Sequence, residues 1–531
     1  MGIPSYFSYI VKNYPHILSK FKPNAKAVDN LYLDCNSIIY DVFHKLSASA
    51  VGATMSEDET AQQIIRGTIA KIQEYILAVH PRKTTYIAFD GVAPVAKIEQ
   101  QRTRRYKSWY QTEVSKHIYG DKNKKNTWST LAITPGTRFM SELNRQITDA
   151  FKRKTEVIVS DSSEPGEGEH KLFDYIRQNP QKHEKETTII YGLDADLIVL
   201  SICHLQYAPN LFLLRESPHF HMDNLEPDTN YLLNISELNA KIDINSHDYI
   251  ILTFMLGNDF LPHFPAANIR TGGMDKLMIA YRSLFLGCDN NKSNLARSDD
   301  SINWYNMRLL IATLAGKEEE FLREEHKLRN RREYTYPIHS ADDKFKKFEA
   351  TPTFERDLEK HIDPFTGGWQ KRYYENLFPC FDGVVSNVCK NWCEGIEWNF
   401  YYYTQGCLDW RWTYRYYYPP LFSDLNTFLL DKTGNNATTI VSFMKMYSNQ
   451  QTMMATITRT NKPVSSLVQL CCVLPYAGLV HLPPELRKKL IEERPEWYKT
   501  DCPFLWAYCR YFWESHVVME HIDISVMEKI V

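Results

Sequence analysis

Acidic side chains follow several apolar stretches in the first half of this sequence, and together they have the chemistry of a divalent-metal site. Asp34 and Asp90 each end an apolar run, and the other acids include two pairs spaced two residues apart around Gly168 or Ala195. The full set is Asp34, Asp90, Glu167, Glu169, Asp194, Asp196 and Asp259. When carboxylates converge, their mutual repulsion costs on the order of kilocalories per mole unless cations lie between them. Mg²⁺ resolves that repulsion because it binds carboxylates together with water and phosphate oxygens.

Two such ions about 4 Å apart stabilise both the attacking and the leaving oxygen of a phosphodiester. The other interpretation is that these acids only end strands and cap helices, and for any single aspartate that interpretation is favoured. For the whole set, the glycine-containing turns after strands and the lack of an adjacent basic partner favour metal. The residues by themselves leave both interpretations open.

A basic stretch follows Asp90. Lys97, Gln101, Arg104 and Arg105 are spaced i, i+4, i+7 and i+8, which places them on one face of a helix. Such a cluster of donors suits a terminal phosphate, whose oxygens accept several charge-assisted hydrogen bonds. The alternative is a solvated basic helix face. Proximity to Asp90 favours the phosphate pocket, which would then lie about one nucleotide, or about two helical turns, from the metals.

Aromatic residues make up 13% of the chain and are concentrated between residues 396 and 425. Trp410 and Trp412 could stack on bases, and such stacking contributes roughly 1–3 kcal/mol per base whatever the sequence. Tyr40, six residues after Asp34, is another stacking candidate near the metals. We expect most of the remaining rings to pack against one another, and at most two to contact substrate.

Alternating apolar and amphipathic stretches predict the elements that position these residues. The apolar runs are 28–34, 84–90, 156–161 and 187–194. Helical stretches separate them, among them 59–79 with apolar residues at Ile64, Ile65, Ile69, Ile72, Ile76 and Leu77. This pattern predicts an α/β fold with a mostly parallel, twisted sheet flanked by helices. Ligands bind outside the carboxyl ends of such strands, where several of the acids stand.

Composition excludes some classes of protein. The 531 residues include 62 Lys+Arg and 64 Asp+Glu, a net charge of −2, which excludes a uniformly basic binder but not a local basic groove. We find no secretory signal and no apolar run long enough to span a membrane. The 11 cysteines are scattered, which indicates reduced thiols and an intracellular setting. Cys389 and Cys393 would form half a zinc site, but no partner pair at finger spacing supports one.

Short motifs along the chain resemble those of the Xrn/Rat-type 5′→3′ exoribonuclease family. In the first half they are residues 1–7, 30–39, 89–94, 100–105, 133–140, 164–171, 191–197 and 256–262. In the second half they are residues 394–398, 401–403, 410–412, 418–420, 423–425 and 469–475. The motifs occur in family order from residue 1 to about residue 480.

The resemblance implies a PIN-like nuclease core related to flap endonucleases, with a second, mainly helical and aromatic-rich region wrapped around it. We expect the core and its metal and phosphate sites in residues 1–275, a charged connecting segment in 276–350, and the region closing the active site in 351–531. It implies that the seven acids bind metal and act in catalysis, and that Lys97, Gln101, Arg104 and Arg105 bind the 5′-monophosphate. Tyr40 and Trp410 match the residues that stack on the first base.

The activity that the resemblance implies is processive 5′→3′ degradation of single-stranded RNA with a 5′-monophosphate, by two-metal-ion hydrolysis that releases nucleoside 5′-monophosphates. The role would be in RNA decay, with two Mg²⁺ ions as cofactors and Mn²⁺ able to replace them. We expect a monomer without membrane contact, located in the cytoplasm, with the nucleus left open. A decapping or other 5′-end-processing activity would act upstream.

Two departures from the family pattern affect the expected substrate contacts. Tyr40 replaces a usual histidine and cannot become cationic, and Val95 stands where an arginine is common. The chain also stops near the end of the nuclease core, so we do not carry over partner docking through later domains. Two other functions fit parts of the sequence, a structure-specific DNA flap endonuclease and a catalytically inactive RNA-binding scaffold. A second region that closes the site disfavours the first, and the intact set of acids disfavours the second.

Overall fold

The computed structural model describes most of the chain. The described residues are 2–23, 27–49, 55–120, 128–218, 222, 225–286, 294–333, 337–379, 383–433 and 461–531.

A seven-stranded sheet forms the centre of the first half. Its strands are β1 (Leu18–Lys20), β2 (Asn30–Asp34), β3 (Thr84–Ala88), β4 (Val157–Ser160), β5 (Thr188–Tyr191), β6 (Leu211–Glu216) and β7 (Asn230–Asn234). The strand order is β1-β7-β6-β5-β2-β3-β4. Strands β6, β5, β2, β3 and β4 run parallel to one another. At one edge of the sheet, β7 runs antiparallel to β6, and β1 runs antiparallel to β7. This arrangement confirms the predicted mostly parallel sheet.

Helices cover both faces of this sheet. They are α1 (Tyr6–Asn13), α2 (Asn36–Ala48), α3 (Glu57–Val79), α4 (Val95–Tyr119), α5 (Arg138–Phe151), α6 (Gly168–Gln178), α7 (Pro180–His183), α8 (Asp196–Cys203), α9 (Ile235–Ile242) and α10 (Ser246–Phe254). Residues such as Leu172 and Ile190 pack on one face, and residues such as Leu33 and Leu143 pack on the other. The sheet is therefore buried on both sides, as parallel sheets require.

The second half is mainly helical. Its helices are α11 (Gly273–Phe285), α12 (Trp304–Ala315), α13 (Glu318–Arg331), α14 (Ala341–Glu349), α15 (Asp357–Ile362), α16 (Trp369–Leu377), α17 (Val385–Thr404), α18 (Phe422–Thr433), α19 (Ser466–Val473), α20 (Pro484–Glu493) and α21 (Ile524–Ile530). A two-stranded sheet joins β8 (Phe504–Leu505) to β9 (His516–Val517). No helix among the described residues is long and apolar enough to cross a membrane.

The predicted connecting segment 276–350 contributes to the protein core. Leu310 and Ile311 of α12 are fully buried, in the same apolar cluster as residues of the nuclease half. Charged side chains dominate only the later helices α13 and α14. The boundaries of the three predicted regions stay a prediction.

Helix α3 shows how local sequence determines an element. Ser56 and Glu59 form a reciprocal capping box at its start, which satisfies backbone donors that the helix leaves free. Ile64 and Ile72 are fully buried, as the apolar spacing predicts. Leu77 is the exception, because its side chain is 74% exposed.

Helix α4 carries the basic residues and begins at the carboxyl edge of the sheet. It spans 25 residues from Val95 and ends before Gly120, whose φ of 72° favours glycine. At its start, the backbone N–H of Val95 donates to the carbonyl of Trp410 at 2.8 Å. The second region is thus attached to the beginning of the basic helix.

Candidate active site

Three of the seven predicted acids meet closely at the carboxyl edge of the sheet. One carboxylate oxygen each from Asp34, Asp90 and Glu169 lies within 4.8 Å of the other two. Asp34 is the last residue of β2, Asp90 follows β3, and Glu169 lies in the first turn of α6. Because β2 and β3 are parallel neighbours with Asp34 opposite Ala88, both strands deliver their acids to the same place.

Asp90 is held by groups on both sides of it. The Asn36 side chain donates to one carboxylate oxygen and accepts from the Asp90 backbone N–H at 3.1 Å. The backbone N–H of Gly168 donates to the other oxygen at 2.7 Å. A side chain at position 168 would begin 2.8 Å from an oxygen of Asp34, so the close approach requires glycine.

Lys97 binds two further acids. Its ammonium group lies 2.8 Å from Oδ2 of Asp259 and also pairs with Glu167. Burial by itself would lower the pKa of Lys97, but the carboxylates of Asp259 and Glu167 outweigh it and raise that pKa well above its ordinary value. Lys97 is therefore a charged counterion inside the acid cluster.

Asp194 and Asp196 complete the set from the loop after β5 and the start of α8. The guanidinium of Arg215 donates to the backbone carbonyl of Asp194 at 2.9 Å and also to that of Leu193. Gly2 approaches Asp196 so closely that a Cβ there would lie 2.2 Å from its Oδ1. The beginning of the chain thus packs against the acid cluster.

Burial and mutual repulsion shift the titration of these acids. Burial, followed by the charges of Asp90 and Asp194, raises the pKa of Asp34 well above its ordinary value. Burial, followed by the charges of Glu167 and Asp34, does the same to the pKa of Glu169. Burial and the charge of Asp259 raise the pKa of Asp196 to about 7. Such shifts are typical of carboxylates that are gathered without enough positive charge.

The donor set fits hard divalent cations. Oδ1 of Asp34 and Oδ1 of Asp196 are buried, and neither has a hydrogen-bond partner within the described part of the chain. Buried polar atoms are nearly always satisfied, so these oxygens are free to bind a cation. Oxygen ligands of this kind select Mg²⁺ or similar ions. Asp34, Asp90 and Glu169 would hold one ion, with the remaining acids beside it.

The structure separates the four predicted phosphate ligands along α4. Lys97 faces the acids, whereas Arg105 donates to the hydroxyl of Thr134 and to the carbonyl of Ile133. Burial lowers the pKa of Arg105 to about 10, although the nearby Tyr40 raises it. Gln101 is buried between these positions, and its Oε1 has no partner among the residues described. Arg104 is only half-buried. Binding of a 5′-phosphate by these residues stays a prediction.

The two predicted stacking residues lie on different elements. Tyr40 belongs to α2 and is half-buried beside Arg105. Trp410 is half-buried in the loop that binds the start of α4. Trp412, the other candidate tryptophan, is buried and stacks on Trp398 with ring centroids 5.1 Å apart. Trp412 therefore belongs to the core, while stacking of Tyr40 and Trp410 on a base stays a prediction.

Sequence reasoning missed several residues that hold this site. Asn36 fixes Asp90, and Lys171 donates to the carbonyls of Phe89 and Asp161, both at 2.8 Å, so it joins the ends of β3 and β4. The hydroxyl of Tyr402 on α17 donates to Oε1 of Glu167 at 2.7 Å. Asn36 and Lys171 lie two residues from a predicted acid, which is a usable signal, whereas nothing near Tyr402 in sequence indicates its role.

The sequence is similar to exoribonucleases of eukaryotes. It is 26% identical to 5′-3′ exoribonuclease 1 of Saccharomyces cerevisiae over 93% of this chain and 40% of that protein. It is 26% identical to the 5′-3′ exoribonuclease 2 homolog of Drosophila melanogaster over 94% of this chain and 68% of that protein. The chain thus spans less than half the length of the yeast relative.

Among solved structures, the catalytic core of Rad2 in complex with DNA substrate covers 83% of this chain, at 12% identity and a TM-score of 0.35. Family profiles match more specifically. The XRN 5′-3′ exonuclease N-terminus matches residues 1–217, and the Xrn1 helical domain matches residues 239–357 and 340–512. These two profiles together cover most of the sequence, so the chain belongs to the XRN family of 5′-3′ exonucleases.

Proposed function

We propose that this chain is a processive 5′→3′ exoribonuclease that hydrolyses single-stranded RNA with a 5′-monophosphate and releases nucleoside 5′-monophosphates. The observation that carries the proposal is the convergence of Asp34, Asp90 and Glu169 directly beside a helix with a basic face. Family membership supports the same chemistry. The proposed cofactors are two Mg²⁺ ions, which Mn²⁺ can replace.

The acids would hold the cations and keep them close to the scissile phosphate. Bound Mg²⁺ supplies an activated water and stabilises the charge on the leaving oxygen. Asp34, Asp90 and Glu169 would bind one ion, and Asp194, Asp196, Glu167 and Asp259 would complete the environment of a second. The surrounding burial excludes bulk water, so the charges act strongly on the phosphodiester.

The half-buried Arg104 would recognise the 5′ end. Arg104 lies on α4 seven residues beyond Lys97, which contacts the acids, so the two are about 10 Å apart along the helix axis. That span suits a single nucleotide between the end phosphate and the bond that is cut. A 5′-hydroxyl offers no charge to this pocket, and a cap or a triphosphate adds bulk or charge.

The second region would keep the substrate single-stranded and the cleavage confined to an end. Its loop at Trp410 binds the start of α4, and its helix α17 lies on the acids. Tyr40 and Trp410 would stack on the first base. We place this activity in the cytoplasm, in RNA decay by a monomer, downstream of a decapping or other 5′-end-processing activity.

The decisive experiment is thin-layer analysis of the products from labelled RNAs with 5′-phosphate, 5′-hydroxyl or 5′-triphosphate ends, with Mg²⁺ or with chelator. We expect nucleoside 5′-monophosphates from the 5′-phosphate RNA in Mg²⁺, and none in chelator. Equal cleavage of all three ends would refute recognition of the 5′-monophosphate. Faster cutting of DNA flaps than of RNA ends would favour the flap-endonuclease alternative.

A substituted protein provides the necessary control for contamination by other nucleases. Asp194→Ala removes one carboxylate at the carboxyl edge of the sheet, so we expect loss of mononucleotide release while most RNA binding persists. Filter binding in chelator measures the retained affinity. Full activity in D194A would show that the nuclease is a contaminant or that the acids are misassigned.

A further inference from the structure

One face of helix α17, from the second region, contacts the acid cluster of the nuclease core. Asn399, Tyr402 and Tyr403 are spaced i, i+3 and i+4, so their side chains share that face. All three are buried. Asn399 and Tyr402 each reach a different acid-bearing segment of the chain, and these segments are far apart in sequence.

Tyr402 fixes the orientation of Glu167. Its hydroxyl donates to Oε1 of Glu167 at 2.7 Å, while Lys97 binds the other oxygen of the same carboxylate. The Tyr402 ring stacks on His170 with centroids 3.7 Å apart and on Trp398 with centroids 4.8 Å apart. Because His170 and Trp398 pack against the Tyr402 ring, its hydroxyl stays directed at Glu167. Tyr402 and Lys97 therefore each hold one carboxylate oxygen of Glu167.

Asn399 fixes the turn that carries Asp259. Its Oδ1 accepts from the Asn258 side chain at 2.7 Å, and its own Nδ2 donates to the carbonyl of Gly395 at 2.8 Å. Asn258 in turn accepts the backbone N–H groups of Phe260 and Leu261 at 3.0 and 2.9 Å. The amide network therefore holds the backbone on both sides of Asp259 at a fixed distance from α17.

Tyr403 lies beside Tyr402 on this face, with ring centroids 6.4 Å apart. The ring is also held by Phe254 at 5.0 Å and by His170 at 5.8 Å between centroids. Groups that bond to metal-binding carboxylates set the orientation of those ligands, and their loss typically weakens metal binding by 10- to 100-fold.

We propose that Asn399 and Tyr402 are positioning residues that hold Asp259 and Glu167 in the geometry needed to bind divalent cations. The second region is then a structural part of the metal site and not only a cover over the substrate. These residues act through the acids and not on the RNA. The catalytic meaning of this proposal rests on the proposed function, but its effect on metal affinity can be measured without RNA.

The test compares Tyr402→Phe with a matched control in the same region. Y402F removes only the hydroxyl that Glu167 accepts. Tyr373→Phe removes a hydroxyl of a fully buried tyrosine that donates to the backbone carbonyl of Pro419 at 2.9 Å, away from the acids. Both variants lose one buried hydrogen bond, so their thermal unfolding temperatures should fall by similar amounts. Mn²⁺ binding to each protein, followed by electron paramagnetic resonance without RNA, then isolates the positioning effect.

We expect Mn²⁺ affinity to fall about tenfold or more in Y402F and to stay at the wild-type value in Y373F. In RNA cleavage, Y402F should need a correspondingly higher Mg²⁺ concentration for half-maximal rate. Asn399→Ala tests the second contact in the same way. Equal Mn²⁺ affinity of Y402F and wild type, or an equal loss in Y373F, would overturn the proposal.

The outcomes separate this proposal from the proposed function. If wild-type protein binds Mn²⁺ but releases no nucleotide, the proposed function fails, while the affinity comparison still decides the role of α17. If wild type cleaves RNA and Y402F matches it in Mn²⁺ affinity, only the positioning role fails. If wild type binds no Mn²⁺, both proposals fail.

Discussion

The ammonium group of Lys97 lies 2.8 Å from Oδ2 of Asp259, so the first basic residue of α4 is bound to an acid of the proposed metal site. It also pairs with Glu167. The basic helix and the acid cluster are therefore one electrostatic unit. Lys97 supplies part of the positive charge that the gathered carboxylates require.

Lys97→Met should destabilise the metal-free protein strongly. Removing one partner of a buried ion pair leaves the other charge uncompensated and costs about 3–5 kcal/mol. Added Mn²⁺ should recover part of this loss, because it can supply the missing charge. Denaturant unfolding with and without Mn²⁺ measures both effects.

Lys116→Met is the control for this substitution, since Lys116 lies on the same helix in an exposed pair with Glu113. We expect it to change the free energy of unfolding by less than about 1 kcal/mol. If K97M were as stable as K116M, the structural importance of the Lys97 contacts would be refuted.

Arg104→Ala should remove the preference for 5′-phosphorylated RNA. A charge-assisted hydrogen bond contributes about 1.5–3 kcal/mol, which corresponds to roughly a 10- to 150-fold change in relative rate. Competition between 5′-phosphate and 5′-hydroxyl RNA measures it. Arg66→Ala, at an exposed position on α3, should leave the preference unchanged. A preference retained in R104A would place the phosphate pocket elsewhere.

Gly2→Ala should impair catalysis through Asp196. The added Cβ would lie 2.2 Å from Oδ1 of Asp196, so the carboxylate must move away from the other acids. We expect the rate of RNA cleavage to fall at least about tenfold, since outer contacts of metal ligands have effects of that size. Steady-state kinetics at several Mg²⁺ concentrations provide the measurement.

Gly120→Ala is the matched control, because Gly120 also has a positive φ, of 72°, but no atom of the described residues lies within 4 Å of the added Cβ. Both alanine variants must adopt a positive φ, at a cost of about 1–3 kcal/mol, whereas only the one at position 2 collides with an acid. Comparable activity of G2A and G120A would show that the contact with Asp196 is unimportant.

Buried His204 should make stability fall on acidification. Burial, and next the charge of Arg177, lower its pKa from 6.5 to about 3. Between those values the unfolded chain binds a proton that the folded protein does not. Stability is therefore lost as pH falls through this window, by about 1.4 kcal/mol per pH unit well below 6.5.

His204→Asn should reduce this slope, because the new side chain does not titrate. Free energies of unfolding at pH 7, 6 and 5 give the slope for wild type and variant. A steeper slope in H204N would contradict the assignment of a neutral His204.

The local pattern of the sequence predicted the parts of the fold that depend on local spacing. The four apolar runs became β2 to β5, and the basic stretch became α4, because burial on both faces and a 3.6-residue period are properties of neighbouring residues. Leu77 shows the limit of that reasoning. It fits the apolar period of α3, yet no element in the described part of the chain covers that position.

For the site, the sequence by itself determined that Asp34 and Asp90 lie at the same edge of the sheet, because neighbouring parallel strands have their carboxyl ends at one edge. Only the tertiary structure decided what surrounds them. Lys97 turned toward Glu167 and Asp259, Trp412 packed into the core, and Tyr402 reached Glu167 across 235 residues of sequence. The physical reason is that each contact depends on how α17 and α4 dock on the sheet, and side-chain partners so distant in sequence leave no periodic signal.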